Sequence, residues 1–187
     1  MKPEAVLPVG RWWVALATGG GAVRRIALLD RPPEDGSPAG LRPGASGAAV
    51  RAFRWLTAWL DDPATPWPSD MPLTPAATPF QHRVRAALQA VPCGRTVTYG
   101  DLAARLGTAP RAVGGACRAN PVPLAVPCHR VVAAAGLGGF TGESTGPWPA
   151  FKAWLLAREG VRLEAPLEAP SLKPRRAIPI GGVDHQT

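Results

Sequence analysis

The sequence predicts an α+β fold in which a small strand-rich segment comes first and a helical segment follows. Three observations support this: residues 11–29 are rich in β-favouring side chains, residues 100–119 show a helix-turn-helix pattern, and a Pro-rich stretch separates the two. The predicted organisation is an N-terminal α/β domain with a Pro-rich linker, a second domain and a flexible tail, at residues 1–77, 78–162 and 163–187.

The N-terminal domain is expected to combine two strands with one helix. Residues 11–29 favour two strands on either side of the glycines Gly19–Gly21, which suit a turn. Residues Gly47–Leu60 favour a helix, and Ser46 is suited to cap its first turn. The apolar spacing predicts that this helix buries one face, made of Val50, Phe53, Leu56 and Leu60.

The second domain opens with a strong signal for a helix. Thr78 can cap the helix, Pro79 suits its first position, and Gln81 completes a capping box. The spacing of the apolar residues predicts a buried face that contains Val84, Leu88 and Val91. A short strand is predicted over Arg95–Thr98.

Two short helices are predicted next, over Gly100–Leu106 and Pro110–Ala119, with Gly107 ending the first. Helices joined by such a short turn form the helix-turn-helix pattern. The second contains Gly114 and Gly115, and each glycine inside a helix costs about 1 kcal/mol relative to alanine. Either packing inside the protein or close approach to DNA would explain their presence, and the spacing alone leaves both open.

The remainder of this domain is predicted to comprise a proline-rich extended segment, a loop and a final helix. Pro121, Pro123 and Pro127 favour an extended chain into Cys128–Val132. A loop is expected over Gly136–Gly142. The final helix is predicted over Trp148–Arg158, ending at Gly160, with its inward side chains being Phe151, Trp154 and Leu155.

The positive charge of the chain is concentrated in the second domain. Residues 80–162 carry ten basic and three acidic side chains, whereas residues 1–79 carry eight basic and seven acidic ones. A basic segment is typical of proteins that bind a polyanion such as nucleic acid. A basic surface without any partner would have the same composition.

Cysteine usage indicates a reducing, cytoplasmic compartment. The three cysteines, Cys93, Cys117 and Cys128, form no CxxC pair, and residues 1–81 contain neither Cys nor His. This pattern favours neither a disulfide framework nor a zinc site. The first residues lack a signal-peptide core and no apolar run approaches membrane-spanning length, so we expect no membrane partner.

The segment Pro-Cys-His-Arg-Val at residues 127–131 brings a thiol, an imidazole and a guanidinium together. A thiol must lose its proton to become a good nucleophile, and neighbouring His and cationic groups favour this. Adjacent side chains of an extended segment point to opposite faces. We therefore expect His129 to reach the Cys128 sulfur through a water rather than directly. A cysteine beside a histidine can also be a small buried core residue.

A longer run of residues carries a resemblance to a known family. The run from Arg111 to Val131, RAVGGACRANPVPLAVPCHRV, together with TVTYGDLAARL at residues 96–106 and KAWLLAREG at residues 152–160, resembles the O6-alkylguanine-DNA alkyltransferases, also called methylated-DNA–protein-cysteine methyltransferases. The resemblance covers residues 78–162 and implies a winged-helix-like catalytic domain. It extends to residues 1–77 only in outline.

The resemblance implies a role for each of five residues in the reaction. Cys128 would accept the alkyl group, His129 would act as its base through a water, and Glu159 would orient His129. Asn120 would brace the turn that holds the acceptor, and Tyr99 would donate a hydrogen bond to the departing guanine.

The resemblance also implies how the chain contacts DNA. Arg111 would fill the base stack after the damaged nucleotide is flipped out, and the glycines of its helix would allow close approach to the minor groove. The residues expected to contact the guanine are Tyr99, Arg111, Val131, Thr141 and Gly142, with Val131 and Thr141 using backbone amides. Those expected to contact the remaining DNA are Arg111, Gly114, Gly115 and Arg118.

The expected partner is therefore double-stranded DNA that carries O6-alkylguanine, bound by a monomer without cofactor or metal. Other classes of protein remain as alternatives: a non-catalytic alkyltransferase-like protein that recruits other repair, a helix-turn-helix transcription factor, and a Cys hydrolase. The first lacks an acceptor cysteine, and the second needs no combination of Cys128, His129 and Glu159. A hydrolase needs an oxyanion site, and the sequence shows none.

Overall fold

A four-stranded antiparallel sheet forms the N-terminal part of the protein. The computed structural model describes residues 2–34, 36 and 39–162, so the tail predicted at residues 163–187 lies outside the described residues. The strands follow the spatial order β3-β2-β1-β4 and comprise β1 Ala5–Val9, β2 Trp12–Gly19, β3 Ala22–Leu29 and β4 Gly40–Leu41.

The two strands predicted over residues 11–29 are confirmed as β2 and β3, whereas β1 and β4 were missed. Gly20 and Gly21 form the turn between β2 and β3, both with positive φ, as a two-residue hairpin loop requires. Pro8 hides β1 from sequence reasoning, because proline rarely occurs within a central strand. The short β4 pairs only with Ala5 and Val6, so the missing N–H of Pro8 costs no pairing with β4.

Helix α1, Gly47–Asp61, packs on this sheet, and Ser46 caps it as predicted, accepting from Ala49 N–H at 3.1 Å. The predicted inward face was wrong in part, because Val50, Phe53 and Leu60 are only half-buried. A neighbouring face that includes two tryptophans is buried instead, with the ring of Trp55 packed edge-on against Trp67 at 4.6 Å. The buried residues of α1 are Ala49, Ala52, Trp55, Leu56 and Trp59.

The Pro-rich stretch predicted as a linker is attached to the sheet along part of its length. Val23 N–H donates to Pro72 O at 2.9 Å, and Thr74 N–H donates to Val23 O at 2.8 Å. Met71 is buried in the hydrophobic core. The stretch therefore lines the edge of β3 rather than running free between two bodies.

Helix α2, Pro79–Gln89, begins at the predicted cap, with Gln81 N–H donating to Thr78 Oγ1 at 3.1 Å. The side chain of Gln81 accepts from Ala77 N–H, one residue earlier than a standard capping box. The helix-turn-helix follows as α3, Tyr99–Leu106, and α4, Pro110–Arg118. Gly107 ends α3 in the left-handed conformation, as predicted.

Two very short parallel strands flank the helix-turn-helix in sequence: β5 Val97–Thr98 comes directly before α3, and β6 Val131–Val132 follows after α4. The extended path predicted through Cys128–Val132 is wrong at its start, because Cys128–Arg130 forms a 3-10 turn. Arg130 N–H closes this turn on Pro127 O at 3.1 Å, a contact that single-residue propensities do not reveal.

Helix α5, Pro147–Arg158, completes the described structure and joins its two parts. Its Phe151 and Leu155 are fully buried, and the Phe151 ring packs 4.9 Å from that of Trp12 on β2. Trp154, predicted to be inward, is half-buried and stacks on Phe151. In the part of the chain that the structure describes, no helix is long and apolar enough to cross a membrane.

Candidate active site

Cys128 lies at the start of the 3-10 turn and is 5% exposed. Asn120 braces this turn from the end of α4: its Nδ2 donates to Val126 O at 3.0 Å and to Cys128 Sγ at 3.4 Å. Its Oδ1 accepts from Val122 N–H at 3.2 Å. The asparagine thus connects the chain leaving the helix-turn-helix to the sulfur.

The environment of Cys128 keeps its thiol protonated at rest. Burial raises the pKa of the thiol, and this outweighs the donor from Asn120 and the positive charge of Lys152, which act in the opposite direction. A protonated thiol is a weak nucleophile. Any reaction at this sulfur therefore needs a base nearby.

His129 and Glu159 form a buried pair next to this turn. The distance from His129 Nε2 to Glu159 Oε1 is 2.8 Å, and the two side chains are 1% and 0% exposed. Burial opposes the negative charge of Glu159, but hydrogen bonds from His129 and Arg130 prevail and hold its pKa at about 2. The carboxylate is therefore ionised and accepts a hydrogen bond from Nε2.

This arrangement assigns the proton of the neutral imidazole to Nε2 and leaves a lone pair on Nδ1. Nδ1 is buried and has no hydrogen-bond partner among the described residues. Burial lowers the pKa of His129 despite the opposing effect of Glu159. The ring is thus a neutral base with its accepting atom available.

Tyr99 is the first residue of α3 and contacts the loop after β6. Its hydroxyl donates to Gly139 O at 3.4 Å. Burial, followed by the nearby thiols of Cys117 and Cys128, raises the pKa of Tyr99 to about 12. The phenol therefore remains protonated and can donate a hydrogen bond at neutral pH.

A tight turn forms the tip of the loop that faces this site. Phe140 and Glu143 exchange two backbone hydrogen bonds of 2.8 and 2.9 Å, and both Thr141 and Gly142 at its centre have positive φ. A Cβ on Gly142 would lie 2.9 Å from the side chain of Arg118. The last residue of α4 thus packs against this turn, which brings two of the expected contact residues together.

The backbone amide of Val131 is already engaged, because it donates to Cys128 O within the 3-10 turn. The expected contact of this amide with guanine O6 is therefore not free in this conformation. Thr141 lies exposed at the tip of the loop.

The residues expected to contact DNA follow one another along α4. Arg111 is exposed in its first turn. A Cβ on Gly115 would meet nothing within 4 Å, and one on Gly114 would only reach the Tyr99 ring at 4.0 Å. Internal packing therefore does not explain Gly115, which favours the alternative of close approach by an external partner.

Comparison with known proteins is consistent with this geometry. The family model described as 6-O-methylguanine DNA methyltransferase, DNA binding domain, matches residues 79–161. A solved O6-methylguanine-DNA methyltransferase from Pyrococcus kodakaraensis is 32% identical, with a TM-score of 0.61 over 83% of this chain and 97% of that one. The chain belongs to the O6-methylguanine-DNA methyltransferase family.

Two curated relatives show how far the similarity to this methyltransferase family extends. A methylated-DNA–protein-cysteine methyltransferase from Salmonella typhimurium is 49% identical over 46% of this chain and 49% of its own length. The match to such relatives thus spans about half their length. A DNA base-flipping protein from Thermus thermophilus is 39% identical over 82% of this chain and 95% of its own length.

Sequence reasoning missed two charged residues of this candidate site. Lys152 was given no role of its own, yet it is fully buried and donates to Val131 O, Leu137 O and Gly139 O at 2.6, 2.8 and 3.1 Å. Burial lowers its pKa to about 8, against the opposing effect of the two nearby thiols. Its spacing of seven residues from Glu159 places both on one helical face and was the available signal.

Arg130 was the second omission, although it follows directly after the predicted base. It donates through Nε and Nη2 to the Glu159 carboxylate, at distances of 3.0 to 3.2 Å. Its Nη1 donates to Val91 O at 2.6 Å. The sequence shows only that Arg130 and His129 are neighbours, not that they share one carboxylate.

A cavity of about 380 Å³ lies behind Asn120, between α2, α4 and the edge of the sheet. Cys128, His129 and Tyr99 are not among its lining residues, so the chemistry of the site gives it no role. Within the described residues, no three His, Cys, Asp or Glu side chains come close enough to hold a metal ion.

Proposed function

We propose that this protein repairs DNA by moving a methyl or larger alkyl group from O6 of guanine to its own Cys128. The observation that carries the proposal is the position of Cys128. The side chain of Asn120, which follows the helix-turn-helix, donates a hydrogen bond to its sulfur. The next residue, His129, forms a buried pair with Glu159. The transfer is irreversible, and each molecule acts once as a monomer.

Activation begins with the loss of the Cys128 proton to Nδ1 of His129 through one water. The lone pair on Nδ1 supports this route, because the atom is buried without a protein partner. Glu159 stabilises the imidazolium that forms, since its carboxylate lies 2.8 Å from Nε2. The donor from Asn120 stabilises the thiolate.

The thiolate then attacks the alkyl carbon in line with the bond to O6. The new S–C bond forms as the C–O bond breaks, and the electron pair of that bond goes to the guanine. Tyr99 donates a hydrogen bond to the departing base, for which its protonated hydroxyl is suited. The DNA itself supplies the alkyl group, so no cofactor is required.

Duplex DNA with O6-alkylguanine is the proposed partner. The basic residues of the segment 80–162 attract the phosphate backbone, and α4 enters the minor groove with Gly114 and Gly115 against the DNA. Arg111 replaces the flipped nucleotide in the base stack. Arg118 contacts the DNA, while Val131, Thr141 and Gly142 surround the guanine. The two parts of the chain, 1–77 and 78–162, act as a support and a catalytic domain.

A second candidate function is DNA base flipping without transfer. The relative from Thermus thermophilus that matches 82% of this chain is named a DNA base-flipping protein. Binding and flipping alone do not require a thiol beside a buried imidazole and carboxylate. The presence of that group around Cys128 favours transfer.

Intact mass after incubation with excess O6-methylguanine duplex separates these functions. Alkyl transfer predicts the gain of one methyl group per molecule, located on the peptide with Cys128, and repair that stops at one event per active protein. Cys128→Ala is expected to bind the duplex without gaining mass, whereas the double variant Cys93→Ala, Cys117→Ala keeps the gain. Tight binding by the wild type without a change in mass would establish the second function instead.

A further inference from the structure

The carboxylate of Glu159 is shared by two side chains of the active-site turn. Arg130 Nε lies 3.2 Å from Oε1 and 3.0 Å from Oε2, and its Nη2 lies 3.0 Å from Oε1. His129 Nε2 approaches Oε1 at 2.8 Å, and Gly94 N–H donates to Oε2 at 3.3 Å. Both oxygens are therefore fully engaged inside the protein, where the Glu159 side chain is 0% exposed.

The position of Arg130 is fixed independently of His129. Its Nη1 donates to Val91 O at 2.6 Å, at the end of α2, and only 12% of its side chain is exposed. Arginine keeps its charge at any ordinary pH. The positive charge beside Glu159 is thus permanent and rigidly held.

The charges of His129, Glu159 and Arg130 sum to zero only while the imidazole is neutral. Ionised Glu159 and Arg130 cancel each other, so a protonated His129 would leave one uncompensated positive charge in a buried site. Such a charge is costly. Lys152, also buried, adds a second cation on the α5 side.

We propose that Arg130 is a positioning residue that holds His129 neutral, with its proton on Nε2, until the proton of Cys128 arrives. The proposal rests on the proposed alkyl transfer, in which His129 acts as the base. Without Arg130, Glu159 would face His129 alone and would favour the imidazolium, which cannot accept a proton. Arg130 thereby extends the pH range in which the base is ready toward lower pH.

The other groups around His129 do not remove this effect. Burial lowers the pKa of His129 most, Glu159 raises it, and the charges of Arg130 and Lys152 lower it. The thiol of Cys128 precedes it in the turn and is neutral at rest. On the far side of Glu159 lies Cys93, whose thiol is protonated because burial and Glu159 both raise its pKa.

The ¹⁵N chemical shifts of the His129 ring measure its charge and tautomer directly. In the wild type, the ring should be neutral with the proton on Nε2 at pH 7 and above, because the pKa of His129 is lowered from its ordinary value. In Arg130→Met, the midpoint of its titration should move to higher pH, so that the imidazolium is populated near neutrality. Arg130→Lys keeps the charge and should restore the neutral ring. Arg95→Met is the matched control, because it removes an exposed arginine next to Gly94 and should leave the His129 titration unchanged.

A kinetic measurement supplies the functional consequence. The ratio of the single-turnover transfer rates of Arg130→Met and wild type should fall severalfold between pH 8.5 and pH 6, because a larger fraction of His129 is then protonated in the variant than in the wild type. If Arg130→Met only disturbed the structure of the site, the transfer rate would fall by the same factor at both pH values.

An imidazolium in the wild type at pH 7, a proton on Nδ1, or an unchanged titration in folded Arg130→Met would each overturn the proposal. If Arg130→Met does not fold, the wild-type tautomer and Arg130→Lys still test it. The ring measurement does not require alkyl transfer. A wild type that gains no methyl group but shows the expected ring states would therefore refute the proposed function and leave the effect of Arg130 on His129 standing.

Discussion

Asn120 and Cys128 are joined by a hydrogen bond of 3.4 Å from the side-chain amide to the sulfur, although eight residues separate them in sequence. The same amide nitrogen also donates to Val126 O. One side chain therefore fixes the turn at Cys128 and favours negative charge on its sulfur. Both the position and the reactivity of the Cys128 thiol therefore depend on Asn120.

Replacement of Asn120 should separate these two effects. Asn120→Ala leaves Val122 N–H without its partner and Val126 O with only the hydrogen bond from Cys128 N–H, so the free energy of unfolding should fall by about 1–3 kcal/mol, measured by urea denaturation. Asn120→Asp keeps the shape but places a negative charge beside the thiolate. Its transfer rate per folded molecule should be lower than that of Asn120→Ala, and an equal or higher rate would show that the amide does not stabilise the thiolate.

Removal of the Tyr99 hydroxyl should slow the chemical step. In Tyr99→Phe the ring still packs, but the guanine leaves without its hydrogen-bond donor, so the single-turnover rate should fall by roughly 100-fold or more. Affinity for duplex DNA, measured by fluorescence anisotropy on undamaged DNA, should remain unchanged. A rate equal to that of the wild type would remove Tyr99 from the reaction.

Gly115→Ala tests whether α4 approaches DNA closely. The added methyl meets open space in the protein, so the free energy of unfolding should rise by about 0.5–1 kcal/mol because alanine favours the helix. Affinity for duplex DNA should nevertheless fall. Gly47→Ala is the matched control, since its methyl also meets open space, in α1, and it should leave DNA affinity unchanged. Equal affinity in both variants would contradict the close approach.

Arg111→Ala should distinguish duplex DNA from the free base. Only the duplex requires the damaged nucleotide to be flipped out, so transfer from O6-methylguanine in duplex should fall about tenfold or more, while transfer from the free base should fall less. Arg54 is an exposed residue of α1, outside the basic segment, so Arg54→Ala should change neither rate. Equal losses on both substrates would rule out a role of Arg111 in flipping.

The affinity of the wild type for duplex DNA should also fall as the salt concentration rises.

Glu159 should make the protein sensitive to acid. Its pKa in the folded state is about 2, below the ordinary value of 4.5. A lowered carboxyl pKa stabilises the folded state at pH values above the ordinary pKa, and this stabilisation, about 3 kcal/mol, is lost as pH falls from about 4.5 through about 2. Glu159→Gln should be less stable at pH 7 and should lose less stability over that acid range. Parallel acid curves for the two proteins would contradict this.

Local signals in the sequence were sufficient for most helices of the fold. Thr78 with Pro79, Ser46, and Gly107 each act within one turn of their own helix, and the structure confirms all three positions. The hidden strand β1 and the buried face of α1 depend on partners far along the chain. Propensity and spacing did not identify them, because Pro8 and the tryptophans of α1 are tolerated only in this particular packing.

By itself, the sequence predicted a reactive triplet of Cys128, His129 and Glu159, and it determined the helix-turn-helix and the concentration of positive charge in residues 80–162. These follow from residue types, short-range spacing and a long family resemblance. Only the tertiary structure decided that Arg130 shares the carboxylate with His129 and that Lys152 is buried against three carbonyls. The physical reason is that the state of a charge depends on its burial and its partners, and folding brings those partners together from positions up to 65 residues apart.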